Sequence, residues 1–268
     1  MAPVVAVAQF APGPDPDANL DAIRRLTTDA VGHGAGLVVF PEYSQFFDRT
    51  PGPSWSPMAE PLDGTFVSAL AELSDVTGAT IVAGFIERAA EVLKFHNTVA
   101  AVAPARGLVA SYRKLHLYDA FGASESDWVE PGEIAEPQLF DWGGLRVGLQ
   151  TCYDIRFPEV TRRIVDAGAD LVLVPAEWVA GPLKEHHWRT LVTARAIENT
   201  IYVAAADHTP PVGVGTSLIV DPMGVALAAL GEAEGVATAV VDPARIASVR
   251  EVNPALRLRR FRVSDPQA

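Results

Sequence analysis

Short continuous apolar runs alternate along the chain with segments whose apolar residues recur every three or four positions. Residues 4–8 form a short run of strand-favouring residues, and residues 37–40 form a continuous apolar run typical of a buried strand. Between them, residues 19–31 have helical spacing, and Asp17 is the predicted N-cap. The pattern therefore predicts a strand–helix–strand unit, the building block of an α/β fold.

The same two patterns continue through the rest of the chain. Helical spacing predicts helices over residues 66–76, 158–166, 185–198 and 243–249. Apolar runs predict strands over residues 80–85, 98–103, 108–112, 145–150, 171–174, 201–206, 217–220, 225–230 and 236–241. Residues 118–137 show neither pattern and form a predicted long loop, which in a compact domain is usually functional.

The first strand–helix–strand unit has a counterpart in the second half of the chain. VAVAQ at 5–9 and GAGLVVFPE at 34–42 resemble RVGLQ at 146–150 and GADLVLVPAE at 168–177. The similarity indicates two related units around a pseudo-twofold axis, although any two such units share a general likeness. In either case Glu42 and Cys152 each follow a buried strand, and open α/β sheets bind ligands at the carboxyl ends of their strands.

Composition narrows the class of protein. The chain has 268 residues, of which 49% are hydrophobic, so it can form a sizeable core and is not mainly disordered. A formal net charge of -12 argues against nucleic acid as a partner. No apolar run approaches the roughly 18 residues of a membrane span, and the N-terminus lacks the basic start of a signal peptide. One cysteine excludes an intramolecular disulfide, and we expect a reducing, cytoplasmic setting.

Four residues are candidates for chemistry. Cys152 lies in the polar, turn-like segment GLQTCYDIRFPE, which favours a reactive thiolate, although a lone cysteine is often an inert core residue. Glu42 follows the strand in VVFPE, where burial can raise the pKa of a general base, although it could be a surface residue. Lys114 and Glu125, near and within the predicted loop, have an ordinary solvated residue as the alternative interpretation. The chain lacks a P-loop, a GxSxG elbow and an HExxH motif.

Taken together, these segments resemble the nitrilase superfamily of carbon–nitrogen hydrolases. The resemblance is carried, in order, by LVVFPEYS, YRKLHLYDAFG, ESDWVEPGE, GLQTCYDIRFPE, HWRTLVTARAIENTIYVAAAD and GTSLIVDPMG. The resemblance runs from about residue 4 to 241. Within the family, the chain most resembles the Nit-type amidases, which include ω-amidase and deaminated-glutathione amidase. It implies one carbon–nitrogen hydrolase domain over residues 1–268, with a core over about 4–241 and a C-terminal extension over 242–268.

The resemblance also implies a fold and a site. The fold is an α/β, four-layer α-β-β-α sandwich, which commonly pairs into an eight-layer homodimer. The catalytic residues are Glu42 as base, Lys114 as oxyanion stabiliser and Cys152 as nucleophile, with Glu125 as a second glutamate. Tyr153, Glu177 and Trp178 are expected to bind substrate. No metal and no organic cofactor are expected.

The sequence thus predicts hydrolysis of a small carboxamide, with a cysteine thioester intermediate and release of ammonia. The same triad would serve a nitrilase or an N-carbamoyl amidohydrolase, and a non-catalytic binding or scaffold protein is a further alternative. The segment between Lys114 and Glu125 is shorter than in ω-amidase relatives. Glu177 stands where those relatives usually have a small residue. An ionised Glu177 facing the pocket would disfavour anionic substrates, whereas a salt bridge to Arg156, His186 or Arg189 would neutralise it.

Overall fold

Two six-stranded sheets form the centre of the molecule. The computed structural model describes residues 2–49, 51–91 and 93–264. The first sheet contains β1 (Val4–Gln9), β2 (Leu37–Val39), β3 (Thr80–Arg88), β4 (Phe95–Ala103), β5 (Gly107–Arg113) and β12 (Gly235–Val240), in the spatial order β12-β1-β2-β3-β4-β5. The second contains β6 (Leu139–Trp142), β7 (Leu145–Leu149), β8 (Leu171–Pro175), β9 (Tyr202–Ala206), β10 (Leu218–Val220) and β11 (Ala226–Ala229), in the order β11-β10-β9-β8-β7-β6.

Helices cover the outer faces of both sheets. The helices are α1 (Pro16–Gly32), α2 (Thr65–Thr77), α3 (Pro158–Asp166), α4 (Lys184–Asn199), α5 (Pro243–Val252) and α6 (Ala255–Leu258). Apolar residues of α1 and α2 pack on the first sheet, and those of α3 and α4 pack on the second. The order of layers is therefore α-β-β-α, as the resemblance predicted.

Side chains along each strand point alternately to the two faces of the sheet. This explains why the buried strands appear in the sequence as continuous apolar runs. In β1, Val5 and Val7 point into the core between the sheets, whereas Ala6 and Ala8 point toward the outer helices. Both faces are therefore buried, and no polar face exists to give a two-residue period. Small alanines on the outer face leave room for the helices to approach.

The two sheets have corresponding topologies. Strands β1, β2 and β3 are parallel and are followed by antiparallel β4 and β5. Strands β7, β8 and β9 are likewise parallel and are followed by antiparallel β10 and β11. The edge strands β12 and β6 pair antiparallel with β1 and β7. This correspondence supports the pseudo-twofold relation inferred from the sequence repeat, and it makes Glu42 and Glu177 counterparts beyond β2 and β8.

Several predicted boundaries and one cap differ from the structure. The side chain of Asp15, not that of Asp17, caps α1, because Asp15 Oδ1 accepts from the backbone N–H groups of Asp17 and Ala18 at 3.0 and 3.3 Å. Strand β6 was not predicted because Asp141 interrupts its apolar run, and helix α6 was not predicted because it is a single turn, too short to show helical spacing. The final residues of the predicted extension, 265–268, lie outside the described residues.

Gly84 of β3 lies directly behind Glu42. A Cβ atom at this position would be 2.6 Å from the backbone nitrogen of Tyr43 and 2.7 Å from Cα of Glu42. The backbone of Gly84 also donates to Pro41 O at 3.1 Å and accepts from Gln45 N at 3.3 Å. The strand therefore supports the segment that carries Glu42 at a distance that only glycine allows.

Gly84→Ala should lower the free energy of unfolding by about 1–3 kcal/mol, because the added methyl group meets backbone that cannot rotate away. Urea unfolding measures this effect. Gly32→Ala is the matched control, since a Cβ atom there would meet nothing within 4 Å. Equal stability of the two variants would contradict the close approach of β3 to Glu42.

Candidate active site

A buried lysine joins two glutamates at the carboxyl ends of the strands. Lys114 Nζ lies 2.9 Å from Glu42 Oε1 and 3.0 Å from Glu125 Oε1. All three residues are buried, with 2% exposure for Lys114, 0% for Glu42 and 7% for Glu125. The structure thus brings together three side chains that are far apart in the sequence.

Each member of this cluster lies in a different local structure. Glu42 follows β2 after Pro41 has ended the strand, and Lys114 follows the last residue of β5. Glu125 begins a short 3-10 helix, Glu125–Asp127, within the long loop. The Tyr118 backbone N–H donates to Glu125 Oε2 at 2.6 Å, so the loop closes around this carboxyl group.

Three residues that the sequence did not single out complete the cluster. Asn97 Nδ2 donates to Glu42 Oε1 at 2.6 Å and to Glu125 Oε1 at 3.1 Å, and Tyr43 OH donates to Glu125 Oε1 at 2.8 Å. His208 Nε2 donates to the backbone oxygen of Glu42 at 2.7 Å. Asn97 was recognisable as a polar residue within the mainly apolar strand β4, whereas His208 carried no local signal.

The cluster holds opposite charges in a buried setting. Burial alone would lower the pKa of Lys114, but Glu125 and Glu42 hold that pKa well above its ordinary value. Burial would likewise raise the pKa of Glu125, yet the Lys114 ammonium and the surrounding donors lower it. Lysine as ammonium and Glu125 as carboxylate are therefore the stable forms. Burial lowers the pKa of His208 to about 4, so this histidine is neutral at neutral pH.

Cys152 lies just beyond β7, where the chain turns into a 3-10 helix, Cys152–Arg156. Its φ of 43° lies in the left-handed region, which is uncommon for a residue other than glycine and typical of functional turns. Its Sγ donates to the backbone oxygen of Glu177 at 3.4 Å. Burial raises the pKa of the thiol well above its ordinary value, and Glu42 raises it further, whereas Lys114 opposes them. The sequence favoured a thiolate, but the resting form in this environment is the thiol.

Asp154 fixes the Cys152 turn to the segment that carries Lys114. It is fully buried, and its carboxylate accepts from Tyr112 OH at 2.8 Å and from the His116 backbone N–H at 2.9 Å. Tyr112 and His116 each lie two residues from Lys114, and Asp154 lies two residues from Cys152. One carboxylate therefore sets the position of the lysine relative to the cysteine.

Glu177 lies beside Glu42, as its place in the second unit indicated. Its backbone N–H donates to Glu42 Oε2 at 2.6 Å, and the residue is half-buried at the wall of the cavity. Within the described part of the chain, it forms no ion pair with Arg156, His186 or Arg189. Burial raises the pKa of Glu177 well above its ordinary value, and the neighbouring Glu42 adds to this effect. A raised pKa shifts Glu177 toward its protonated form, and the expected repulsion of anionic substrates stays a prediction.

A cavity of about 930 Å³ opens onto these groups. Glu42, Lys114, Glu125, Cys152 and Glu177 all line it. The other residues predicted to bind substrate, Tyr153 and Trp178, also line it. Further wall residues include Tyr43, Arg49, Tyr118, Phe121, Trp128, Lys184 and Val212.

A metal-binding cluster and a membrane-spanning helix are both absent from the described residues. No group of three or more His, Cys, Asp or Glu side chains among them could hold a metal ion. None of the helices in residues 2–49, 51–91 and 93–264 is both long and apolar enough to span a membrane.

Known proteins share this fold and sequence. The family profile described as carbon-nitrogen hydrolase matches residues 4–251. Deaminated glutathione amidase from Escherichia coli O157:H7 is 37% identical over 258 residues, which cover 96% of this chain and 97% of the relative. The structure of the C. elegans NitFhit protein superposes with a TM-score of 0.87 at 28% identity, covering 97% of this chain and 66% of that chain.

An amidase from Nesterenkonia sp. AN1 is a further structural neighbour. Its double mutant in complex with acrylamide superposes with a TM-score of 0.81 at 28% identity, covering 97% of this chain and 94% of that chain. Another structure of that amidase shows covalent addition of the acetamide moiety of fluoroacetamide at the active-site cysteine. The fold and the matches define an α/β carbon–nitrogen hydrolase of the nitrilase superfamily. The chain belongs to this family of enzymes and fits its Nit-type members.

Alkylation of Cys152 should depend on pH in a way that its charged neighbours determine. Glu42→Gln removes a negative charge that raises the pKa of the thiol, so the midpoint of the pH profile should move to lower pH. Lys114→Met removes a positive charge that lowers this pKa, so the midpoint should move to higher pH. The rate of iodoacetamide labelling measures both shifts, and the chain has only one cysteine to label.

Asp21→Asn is the control for this measurement, because Asp21 is an exposed residue of α1 whose substitution removes one negative charge and only a surface ion pair with Arg24. Its labelling profile should match that of the wild type. Shifts in the same direction for Glu42→Gln and Lys114→Met would contradict the assigned electrostatics.

Proposed function

We propose that the protein is a metal-independent amidase that hydrolyses a small carboxamide through a thioester on Cys152. The observation that carries this proposal is the placement of the Cys152 thiol, the Lys114 ammonium and the carboxyl groups of Glu42 and Glu125 at the wall of a single cavity. Glu42 is the general base, Lys114 stabilises the oxyanion, and Glu125 holds Lys114 and orients the substrate amide.

The first half of the reaction forms the thioester. Glu42 takes the proton of the Cys152 thiol as Sγ attacks the amide carbonyl carbon. Because the thiol has a raised pKa, a base must be in place to take its proton as Sγ attacks. The carbonyl oxygen becomes an oxyanion, which the Lys114 ammonium and the Tyr153 backbone N–H stabilise. One such donor contributes about 3–4 kcal/mol to lowering the barrier.

The second half releases the products. Glu42 gives its proton to the amide nitrogen, the C–N bond breaks, and ammonia leaves. A water molecule then loses a proton to Glu42 and attacks the thioester carbonyl. The C–S bond breaks, the acid leaves, and the sulfur regains its proton from Glu42. Because the ammonium already supplies positive charge at the oxyanion, the chemistry needs no Lewis acid.

The range of substrates and the assembly are also proposals. Because a relative is named deaminated glutathione amidase, deaminated glutathione is a first compound to test. Nitriles and N-carbamoyl compounds would use the same triad, so they belong in the same panel. Pairing into a homodimer and a cytoplasmic location stay predictions, as does a single domain over residues 1–268. Tyr153, Glu177 and Trp178 are proposed to contact the substrate.

Cys152→Ala should reduce amide hydrolysis by at least about a thousandfold, because no other thiol can form the acyl intermediate. Ammonia release from a panel of amides, nitriles and carbamoyl amino acids measures turnover. Wild-type protein quenched during turnover of a slow substrate should carry an acyl mass on the peptide that contains Cys152.

The folded state of Cys152→Ala serves as the control. Its circular dichroism and thermal unfolding should match those of the wild type, so that lost activity reports on chemistry. Substantial turnover by this variant, or release of ammonia with no acyl adduct even when deacylation is slowed, would refute the covalent mechanism.

A further inference from the structure

The carboxyl group of Glu177 lies beside the nucleophile and the base but has no partner of its own. The backbone N–H of Glu177 donates to Glu42 Oε2 at 2.6 Å, and its backbone oxygen accepts from Cys152 Sγ at 3.4 Å. The side chain lines the cavity, where the residue is half-buried. Among the described residues, its carboxyl group forms no ion pair and no hydrogen bond. A polar group that the protein leaves unpaired at a cavity wall binds water or a ligand.

The hydrogen bonds of Glu42 decide which of its oxygens can take a proton. A carboxylate oxygen has about two acceptor positions. Glu42 Oε1 uses both, because it accepts from Asn97 Nδ2 at 2.6 Å and from Lys114 Nζ at 2.9 Å. Within the described part of the chain, Oε2 accepts only from the backbone N–H of Glu177, so one position remains. The proton that Glu42 removes in each half of the reaction therefore goes to Oε2, the oxygen beside Glu177.

Electrostatic effects also place the Glu177 carboxyl group close to both reacting groups. Burial raises the pKa of Glu177, and Glu42 raises it further. Burial and Glu42 likewise raise the pKa of the Cys152 thiol, and Glu177 adds to that rise. With or without its proton, a carboxyl group presents an acceptor oxygen to a nearby water molecule.

The thioester stage creates a need for such an acceptor. Once ammonia has left, a water molecule must lie between Glu42 Oε2 and the thioester carbonyl carbon. The cavity of about 930 Å³ has room for many water molecules, so the position of this one has to come from polar groups. An ordered water molecule in a protein has about three polar partners. Glu42 Oε2 is one of them, and the unpaired Glu177 carboxyl group beside it is a second.

We propose that Glu177 is a catalytic residue of the second half of the reaction, in which its carboxyl group holds the water that hydrolyses the thioester on Cys152. This inference rests on the proposed function, because it requires the thioester. One hydrogen of the water passes to Glu42 Oε2 as the water oxygen bonds to the carbonyl carbon, while a Glu177 oxygen accepts a hydrogen bond from the other hydrogen. The C–S bond then breaks, the sulfur regains the proton from Glu42, and the acid leaves with its hydroxyl group.

Hydrolysis of p-nitrophenyl butyrate tests this role, because it separates the two halves of the reaction. With the enzyme in excess, release of p-nitrophenolate follows formation of the thioester. Decay of the acyl mass on the peptide that contains Cys152 follows its hydrolysis. Glu177→Leu should slow thioester hydrolysis at least about tenfold relative to thioester formation, because the water loses one of its two anchors. The acyl adduct should therefore accumulate in this variant.

Two variants serve as controls. Glu177→Gln keeps an acceptor oxygen at nearly the same position, so it should retain most of the rate of thioester hydrolysis. Glu72→Leu removes one carboxyl group from an exposed position of α2 and should leave both halves of the reaction unchanged. Thioester hydrolysis at the wild-type rate in Glu177→Leu, or an equal slowing of both halves, would overturn the proposal. Hydrolysis as slow in Glu177→Gln as in Glu177→Leu would also overturn it.

The ester also separates failure of this role from failure of the amidase function. It forms the thioester without breaking a C–N bond, so thioester hydrolysis can be measured even if no amide yields ammonia. No ammonia from any amide, together with slow thioester hydrolysis in Glu177→Leu, would refute the amidase function and support the role of Glu177. No acyl adduct on Cys152 from the ester would overturn both, because the covalent intermediate on which they depend would be missing.

Discussion

The buried ammonium of Lys114 between Glu42 and Glu125 is the interaction on which the rest of the site depends. Two carboxyl groups this close in a buried setting could not both stay ionised without a cation between them, because like charges repel strongly at low dielectric. Neutral donors on Asn97 and Tyr43 complete the coordination of the same oxygens. The cluster therefore has a defined geometry before any substrate enters.

The two-sheet architecture explains how this geometry is reached. Parallel strands in each sheet end at the same edge, so the residues that follow β2 and β7 meet across the core. The pseudo-twofold relation places Glu177 opposite Glu42, where its backbone N–H binds Glu42 Oε2. Asp154 then connects the Cys152 turn with the segment around Lys114. Each group of the candidate site is thus held by backbone or by a buried partner.

Much of the fold and part of the candidate site could be predicted from local sequence patterns. The other features depend on contacts between segments that are distant in the sequence. Apolar runs and helical spacing predicted most strands and helices, and the family resemblance predicted the four layers. Strand β6 was missed because Asp141 interrupts its apolar run. Asn97 and His208 were not predicted, because their contacts with Glu42 form only when β4 and the segment after β9 pack against it. The protonated thiol of Cys152 likewise follows from burial beside Glu42, which no local sequence feature reveals.

A double-mutant cycle on the free energy of unfolding tests the central role of the buried ion cluster most directly. Lys114→Met, Glu125→Gln and the double variant are compared with the wild type by urea unfolding. Lys114→Met alone should cost about 3–5 kcal/mol, because it leaves carboxylates buried without their cation. The account predicts that the double variant loses at least about 1 kcal/mol less than the sum of the single losses. Losses that add within about 0.5 kcal/mol would show that Lys114 and Glu125 act independently, and this would contradict the account.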